Sequence, residues 1–227
     1  LCYARSDKKD KPRVPITARL VADMIETAGA DRYMTLDLHA GQIQGFFSIP
    51  GDVLSAFHIL IDYIMDIRDH LERPVVLTAD LGFAKKGRNF AAEIGASMAF
   101  VEKRRSGSDN LPEALSIIGE VKGRDVIVVD DEVDTGGSVS EAVNLAKAHG
   151  ARDIYLLFVH PIFSAGAAER LAVLPLTKII TTDTVPIPAD KQALLGDKLE
   201  IRSVAPLLGE VIRRAHEGRS VGEMFNE

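Results

Sequence analysis

The chain has 227 residues, 46% of them hydrophobic and 26% charged, with a formal net charge of −6. That composition suits a globular chain with apolar material for one large or two modest domains. The acidic balance argues against a nucleic-acid binder, and no apolar run approaches the roughly 18 residues that a membrane span needs. The single cysteine, Cys2, excludes an intramolecular disulfide, offers no zinc cluster and fits a reducing cytoplasm. Small molecules are the expected partners. The chain opens at Leu1 without a signal-peptide pattern and reads as one that started earlier.

Taken in order, strand patterns alternate with helical ones, which predicts parallel α/β architecture. Ile16, Leu20, Val21, Met24 and Ile25 fall on one face of a helix that ends near Gly29, and Tyr33–Leu38 follows as a strand. Val53–Ile67 reads as a helix, Val75–Thr78 as a strand stopping at Asp80, and Phe90–Ile94 as a short helix. Met98–Val101 is the next strand, ending on a basic cluster, and Ser106–Asn110 is small and polar enough to predict a mobile loop. Val126–Val129, Ile154–Val159 and Ile179–Ile180 are further strands, Val139–Ala148 a helix closed by Gly150, and Ala205–Ala215 a last helix.

The segment Val126–Ser138 carries the most chemistry. Four β-branched residues predict a buried strand that stops at Asp130 and Asp131, followed by a glycine-rich turn and a helix. Backbone N–H groups of Thr135, Gly136, Gly137 and Ser138, at a helix start without bulky side chains, can surround a phosphate dianion. Asp130 and Asp131, at the carboxyl end of a strand, are placed to bind sugar hydroxyls or magnesium. An ordinary strand-to-helix turn with an acidic cap would share this local pattern. Asp37 with His39, Asp80, and Lys103 with Arg105 also fall at predicted carboxyl ends, where open α/β sheets bind ligands. Each has a bland alternative as well: a histidine satisfied by backbone, an N-cap carboxylate, a solvated basic cluster.

Together, Tyr3–Arg13, Asp37-Leu38-His39-Ala40, Gln42–Phe47, Lys103-Arg104-Arg105, Val126–Ser138, His160–Ser164 and Ser203–Leu208 resemble the ribose-phosphate pyrophosphokinase (PRPP synthetase) family. The resemblance covers essentially the whole chain and lacks only the N-terminal segment that precedes Tyr3-Ala4-Arg5 in the family. It implies two stacked parallel-sheet α/β domains of the type I phosphoribosyltransferase-like kind, the first truncated at its N-terminus, with a site between them. Residues 1–55 would be the remainder of the first domain, 56–205 the second, and 206–227 a helix and tail returning to the first.

The implied reaction is the magnesium-dependent transfer of the diphosphoryl group of ATP to the 1-hydroxyl of ribose 5-phosphate, giving phosphoribosyl pyrophosphate and AMP. Carried over residue by residue, Lys103 and Arg105 would stabilise the transferring group. Arg105, Asp130, Asp131, Asp134, Thr135, Gly136, Gly137 and Ser138 would bind ribose 5-phosphate. Arg5, Ser6, Asp10 and His39 would hold ATP, and His39 and Asp80 would serve magnesium. A cytoplasmic homo-oligomer with a shared ATP site is implied too.

Four positions depart from the family pattern. Ser6 stands for a glutamine and would shorten a contact to ATP. Phe83 stands for a glycine and would crowd the pyrophosphate loop. Glu132 stands for a hydrophobic residue and adds negative charge near a phosphate. Ser138 for threonine keeps the hydroxyl. Two alternatives remain open: a type I phosphoribosyltransferase, which does not need the 37–40 and 103–105 motifs, and a non-catalytic relative of the synthetase.

Overall fold

A computed structural model of the chain describes residues 1, 3–9, 12–80, 82–104 and 114–224. The chain divides into two compact units, residues 1–56 with 209–227, and residues 57–208.

The first unit contains helix α1 (Thr17–Thr27) and strands β1 (Tyr33–Leu36) and β2 (Gly51–Leu54), which pair in parallel from Tyr33↔Gly51 to Leu36↔Leu54. Of the residues expected on one face of α1, Ile16, Val21 and Ile25 are half-buried, and Leu20 and Met24 turn outward. Ala18 and Ala22 are buried, while Leu20 and Met24 are 55% and 62% exposed. Ala18 packs with Ala4, Leu38 and Ile43, and a side chain this small lets the helix approach that layer closely. Val53 and Leu54, expected to be helical, form part of β2, and the helix begins only at Phe57. The parallel ladder to β1 outweighs the local helical pattern, as tertiary pairing often does.

The second unit begins with helix α2 (Phe57–Asp66) and is built on a seven-stranded sheet. In chain order come β3 (Val75–Thr78), helix α3 (Ala84–Glu93), β4 (Ser97–Arg104), β5 (Ala114–Ile118), β6 (Val126–Val133), helix α4 (Gly137–Ala148) and β7 (Ile154–Pro161). Helix α5 (Ala167–Ala172), β8 (Lys178–Thr182), helix α6 (Ala189–Leu195), β9 (Leu199–Arg202) and helix α7 (Ala205–His216) complete the order, with α7 entering the first unit at Gly209. The spatial order is β5-β4-β3-β6-β7-β8-β9, parallel throughout except for the antiparallel edge pair β4/β5. Parallel strands bury both faces and so read as continuous apolar runs. Val126–Val129 shows this, each residue being fully buried and contributing roughly 1.5–3 kcal/mol.

At the amino end of β6 the buried Asp125 closes a polar network. It accepts from Arg152 Nε at 2.6 Å, from a second Arg152 nitrogen, and from the Glu72 backbone N–H at 2.7 Å. Burial pushes its carboxyl up, but the Arg152 and Glu72 hydrogen bonds outweigh this and hold it below the usual carboxylate range.

Candidate active site

Strand β6 does not stop at the two acids. It continues to Val133, because β7 runs beside it with Asp130↔Phe158, Glu132↔His160 and Val133↔Pro161 in register. Alternation then places Asp131 and Val133 on one face and Asp130 and Glu132 on the other. Asp131 is buried, and Asp130 and Glu132 are half-buried. Glu132, expected to burden the phosphate site, is thus a ladder residue beside His160, whose Nδ1 lies 2.9 Å from Thr184 Oγ1. The Asp130 carboxyl is held well above the usual range, first by burial and then by the charges of Asp131 and Asp80. Both charges that shift it are negative, so a cation or a hydroxyl donor placed there would relieve the cluster.

Immediately after the strand, Gly136 adopts φ +75° and helix α4 begins at Gly137, two residues earlier than expected. A side chain at position 136 would have room, since nothing lies closer than 3.7 Å to a Cβ built there; the left-handed φ is what requires glycine. No side chain caps α4, so its first N–H groups, which lack intrahelical acceptors, are presented at the turn. Ser140 anchors the turn from within the helix, donating from Oγ to the Gly136 carbonyl at 2.6 Å. Thr135 and Ser138 are exposed. Asp134, read as a ribose 5-phosphate ligand, accepts a hydrogen bond from Ser164 Oγ, and the Thr135 carbonyl accepts one from Arg170. Neither Ser164 nor Arg170 carries a role in the sequence reading. The small Ser164-Ala165-Gly166 run before an apolar helix is the only local signal for the first, and there is none for the second.

Asp80 lies exposed just past β3, and its Oδ1 accepts from the Phe83 N–H at 3.0 Å, as a carboxylate that starts a helical turn does. The Phe83 backbone is right-handed, φ −89° and ψ −4°, and therefore has no need of glycine. Its ring is buried, 5.7 Å from the Phe57 ring, which moves the bulk into the apolar layer. Lys103 pairs with Leu115 in the antiparallel β4/β5 ladder. Arg105 and the Ser106–Asn110 segment lie outside the described residues.

In the first unit, Asp37 and His39 do not share a strand face. Strand β1 ends at Leu36 and Asp37 takes φ +38°, so its buried carboxylate accepts from Ser55 Oγ at 2.8 Å and from the Ala56 N–H at 2.6 Å. His39 is exposed. Asp37 thereby fastens the ends of β1 and β2 together, and His39 follows that anchored turn. Arg5 is exposed. Ser6 is committed locally, donating to the Pro15 carbonyl at 3.1 Å and accepting from the Thr17 N–H at 3.2 Å. Asp10 lies outside the described residues.

The Phosphoribosyl synthetase-associated domain model matches residues 108–226, and the model for the N-terminal domain of ribose phosphate pyrophosphokinase matches residues 1–29. The ribose-phosphate pyrophosphokinase of Caldanaerobacter subterraneus subsp. tengcongensis is 46% identical over 98% of this chain and 69% of its own length. The chain belongs to the ribose-phosphate pyrophosphokinase family. The relative from Clostridium acetobutylicum is 44% identical over 99% of the chain and 69% of its own length. The crystal structure of phosphoribosylpyrophosphate synthetase from Mycobacterium smegmatis superposes with a TM-score of 0.87 at 41% identity, covering 96% of this chain and 69% of that one. The α/β class with parallel sheets is that of this pyrophosphokinase family.

Among the described residues, no group of three or more His, Cys, Asp and Glu side chains is arranged to hold a metal by itself, and no helix is long and apolar enough to cross a membrane. Asp130, whose ionisation is made costly by burial and by the charges of Asp131 and Asp80, nevertheless stands where a hard cation is suited. Magnesium dehydrates reluctantly and takes only one or two protein carboxylates, the rest coming from water and phosphate oxygens. The donor set fits an ion that enters with a phosphorylated substrate.

Proposed function

We propose that this pyrophosphokinase-family chain transfers the diphosphoryl group of ATP to the 1-hydroxyl of ribose 5-phosphate, yielding phosphoribosyl pyrophosphate and AMP. The observation that carries the reading is the adjacency of two recognitions on one strand end. A carboxylate pair suited to sugar hydroxyls runs directly into a left-handed glycine and an uncapped helix N-terminus suited to a phosphate.

In this reading Gly136, Gly137 and the backbone of Thr135 and Ser138 take the 5-phosphate, with the Thr135 and Ser138 hydroxyls adding donors. Asp130 and Asp131 orient the sugar through its hydroxyls, and Asp134 stiffens the turn. The 1-hydroxyl oxygen bonds to the β-phosphorus while the bond from that phosphorus to the α–β bridging oxygen breaks. AMP leaves with that oxygen and the hydroxyl proton is released. Lys103 and Arg105 neutralise charge on the group in transit, the main contribution a protein makes to phosphoryl-type transfer. Arg5, Ser6, Asp10 and His39 hold ATP, and His39 and Asp80 serve magnesium. That ion, when bound, supplies charge neutralisation on the di- and triphosphate oxygens. We place the enzyme in the cytoplasm, with small-molecule substrates and no nucleic-acid partner, as a homo-oligomer that shares its ATP site. Residues 1–55, 56–205 and 206–227 serve as the working division of the chain.

The test is a coupled assay for AMP formation from ATP and ribose 5-phosphate with magnesium, run on this chain and on one extended upstream. Product in either supports the reading, and product in neither contradicts it. Lys103→Ala should lower kcat by roughly 100–1000-fold with ATP affinity nearly intact; near-normal turnover would remove Lys103 from the mechanism.

A further inference from the structure

Resting on that reading of the phosphate turn, we infer that Ser164 and Arg170 are positioning residues that set the turn's N–H groups for ribose 5-phosphate. Three consecutive carbonyls are taken by one segment. The Val133 carbonyl accepts from the Phe163 N–H at 3.0 Å, the Asp134 carbonyl from the Ser164 N–H at 2.9 Å, and the Thr135 carbonyl from an Arg170 guanidinium nitrogen. A trans peptide points its C=O and N–H in opposite directions. Drawing these three carbonyls toward residues 163–170 therefore turns the N–H groups of Asp134, Thr135 and Gly136 to the other side together. Successive N–H groups on one side, ending in a left-handed residue, form an anion-binding concavity. The N-terminus of α4 continues it.

The bracing segment is itself strained. Phe163 and Ala165 adopt φ +50° and +46°, and Gly166 adopts +76°. Such conformations cost on the order of 1–3 kcal/mol for non-glycine residues and persist where surrounding contacts dictate them. Here the contacts are identifiable. The buried Phe163 ring packs edge-on 5.8 Å from Phe158, Lys191 Nζ donates to the Phe163 carbonyl at 2.6 Å, and Ser164 Oγ ties the segment to the Asp134 side chain. The segment is held in an unfavourable backbone, and its polar atoms converge on the turn 133–135. Arg170 also brings a fixed positive charge to the turn without standing among the phosphate donors.

The test is calorimetric titration of ribose 5-phosphate, with magnesium, into the unsubstituted chain and into Ser164→Ala, Ser164→Thr and Arg170→Met. Thermal denaturation and ATP titration run in parallel. Because Arg170 is exposed, its variant keeps the core intact. The expected result is a roughly tenfold loss of ribose 5-phosphate affinity in Ser164→Ala and Arg170→Met, the size of one lost charge-assisted hydrogen bond. Ser164→Thr should restore most of it, with ATP affinity unmoved. Unchanged ribose 5-phosphate affinity in both Ser164→Ala and Arg170→Met overturns the inference and leaves the proposed reaction standing. No binding by the unsubstituted chain overturns the reading of the turn, and the inference with it.

Discussion

Two carboxylates of the β6 region, Asp125 just before the strand and Asp130 within it, sit in opposite circumstances. Asp125, before the first residue of the strand, is fully buried yet held below the usual carboxylate range, because Arg152 and the Glu72 N–H outweigh the cost of its burial. Asp130, five residues later, is held well above that range by burial and by the negative charges of Asp131 and Asp80. One carboxylate is compensated within the protein and fastens the amino ends of the strands. The other accepts from the Asp131 N–H at 2.8 Å, and in the proposed reading a bound sugar or cation compensates the rest. In the proposed reading the difference separates a structural acid from a ligand-binding one in a parallel sheet, where ligands gather at the carboxyl ends.

Substitutions near either carboxylate should act on different properties. The largest effect is expected at the turn beyond Asp130, where Gly136→Val places a β-branched residue at φ +75°. It should lower ribose 5-phosphate affinity at least ~100-fold through loss of several charge-assisted hydrogen bonds. Gly136→Asn should retain more, because asparagine tolerates the left-handed region. Equal behaviour of the two variants in calorimetry would show that side-chain bulk, not backbone conformation, governs the site.

At the amino end, Asp125→Ala should cost about 3 kcal/mol, or roughly 6–12 °C in Tm, by stranding the Glu72 N–H and the Arg152 guanidinium. Ribose 5-phosphate affinity at temperatures where the chain stays folded should hardly change. A loss of affinity comparable to that of Gly136→Val would deny the division of labour.

The smallest effect has a distinctive pH dependence. Asp130 has a folded-state pKa above its unfolded one, so the folded chain binds the extra proton and stability falls as pH rises from the unfolded value through the folded one. Asp130→Asn should therefore raise Tm slightly at pH 8 and leave it nearly unchanged at pH 4. Asp125 behaves in the opposite sense: its contribution is present above the unfolded pKa and is lost as pH falls through the folded one. Differential scanning across that range checks both signs at once.

Much of the second unit was legible because parallel strands write themselves as apolar runs. Val75–Thr78 matches β3 residue for residue, and the β6 run with its glycine turn announced α4 to within two residues. What escaped depended on partners distant in sequence. The strand character of Val53 and Leu54 exists only through β1, some 18 residues earlier in the register, and the local apolar pattern merges with that of α2. The inward face of α1 is set by alanines, whose small size gives little periodic signal beside Leu20 and Met24.

The site divides similarly. The glycine turn Thr135–Ser138 and the acid pair, the candidate donors and carboxylates of the proposed site, lie together in one short segment. The Ser164 and Arg170 contacts reach the turn across 30 and 35 residues. Phe83 and Glu132 were read as intrusions because only their residue types were visible. The backbone angles of Phe83 give it an ordinary place in the fold, and Glu132 lies in register with β7.

The most direct test is a titration of ribose 5-phosphate, with magnesium, into Asp130→Asn and Asp125→Asn beside the unsubstituted chain. Asp130→Asn should lose affinity at least tenfold while becoming no less stable, and Asp125→Asn should lose stability while keeping its affinity. Unaltered affinity in Asp130→Asn, or loss of affinity confined to Asp125→Asn, would contradict the proposed reading.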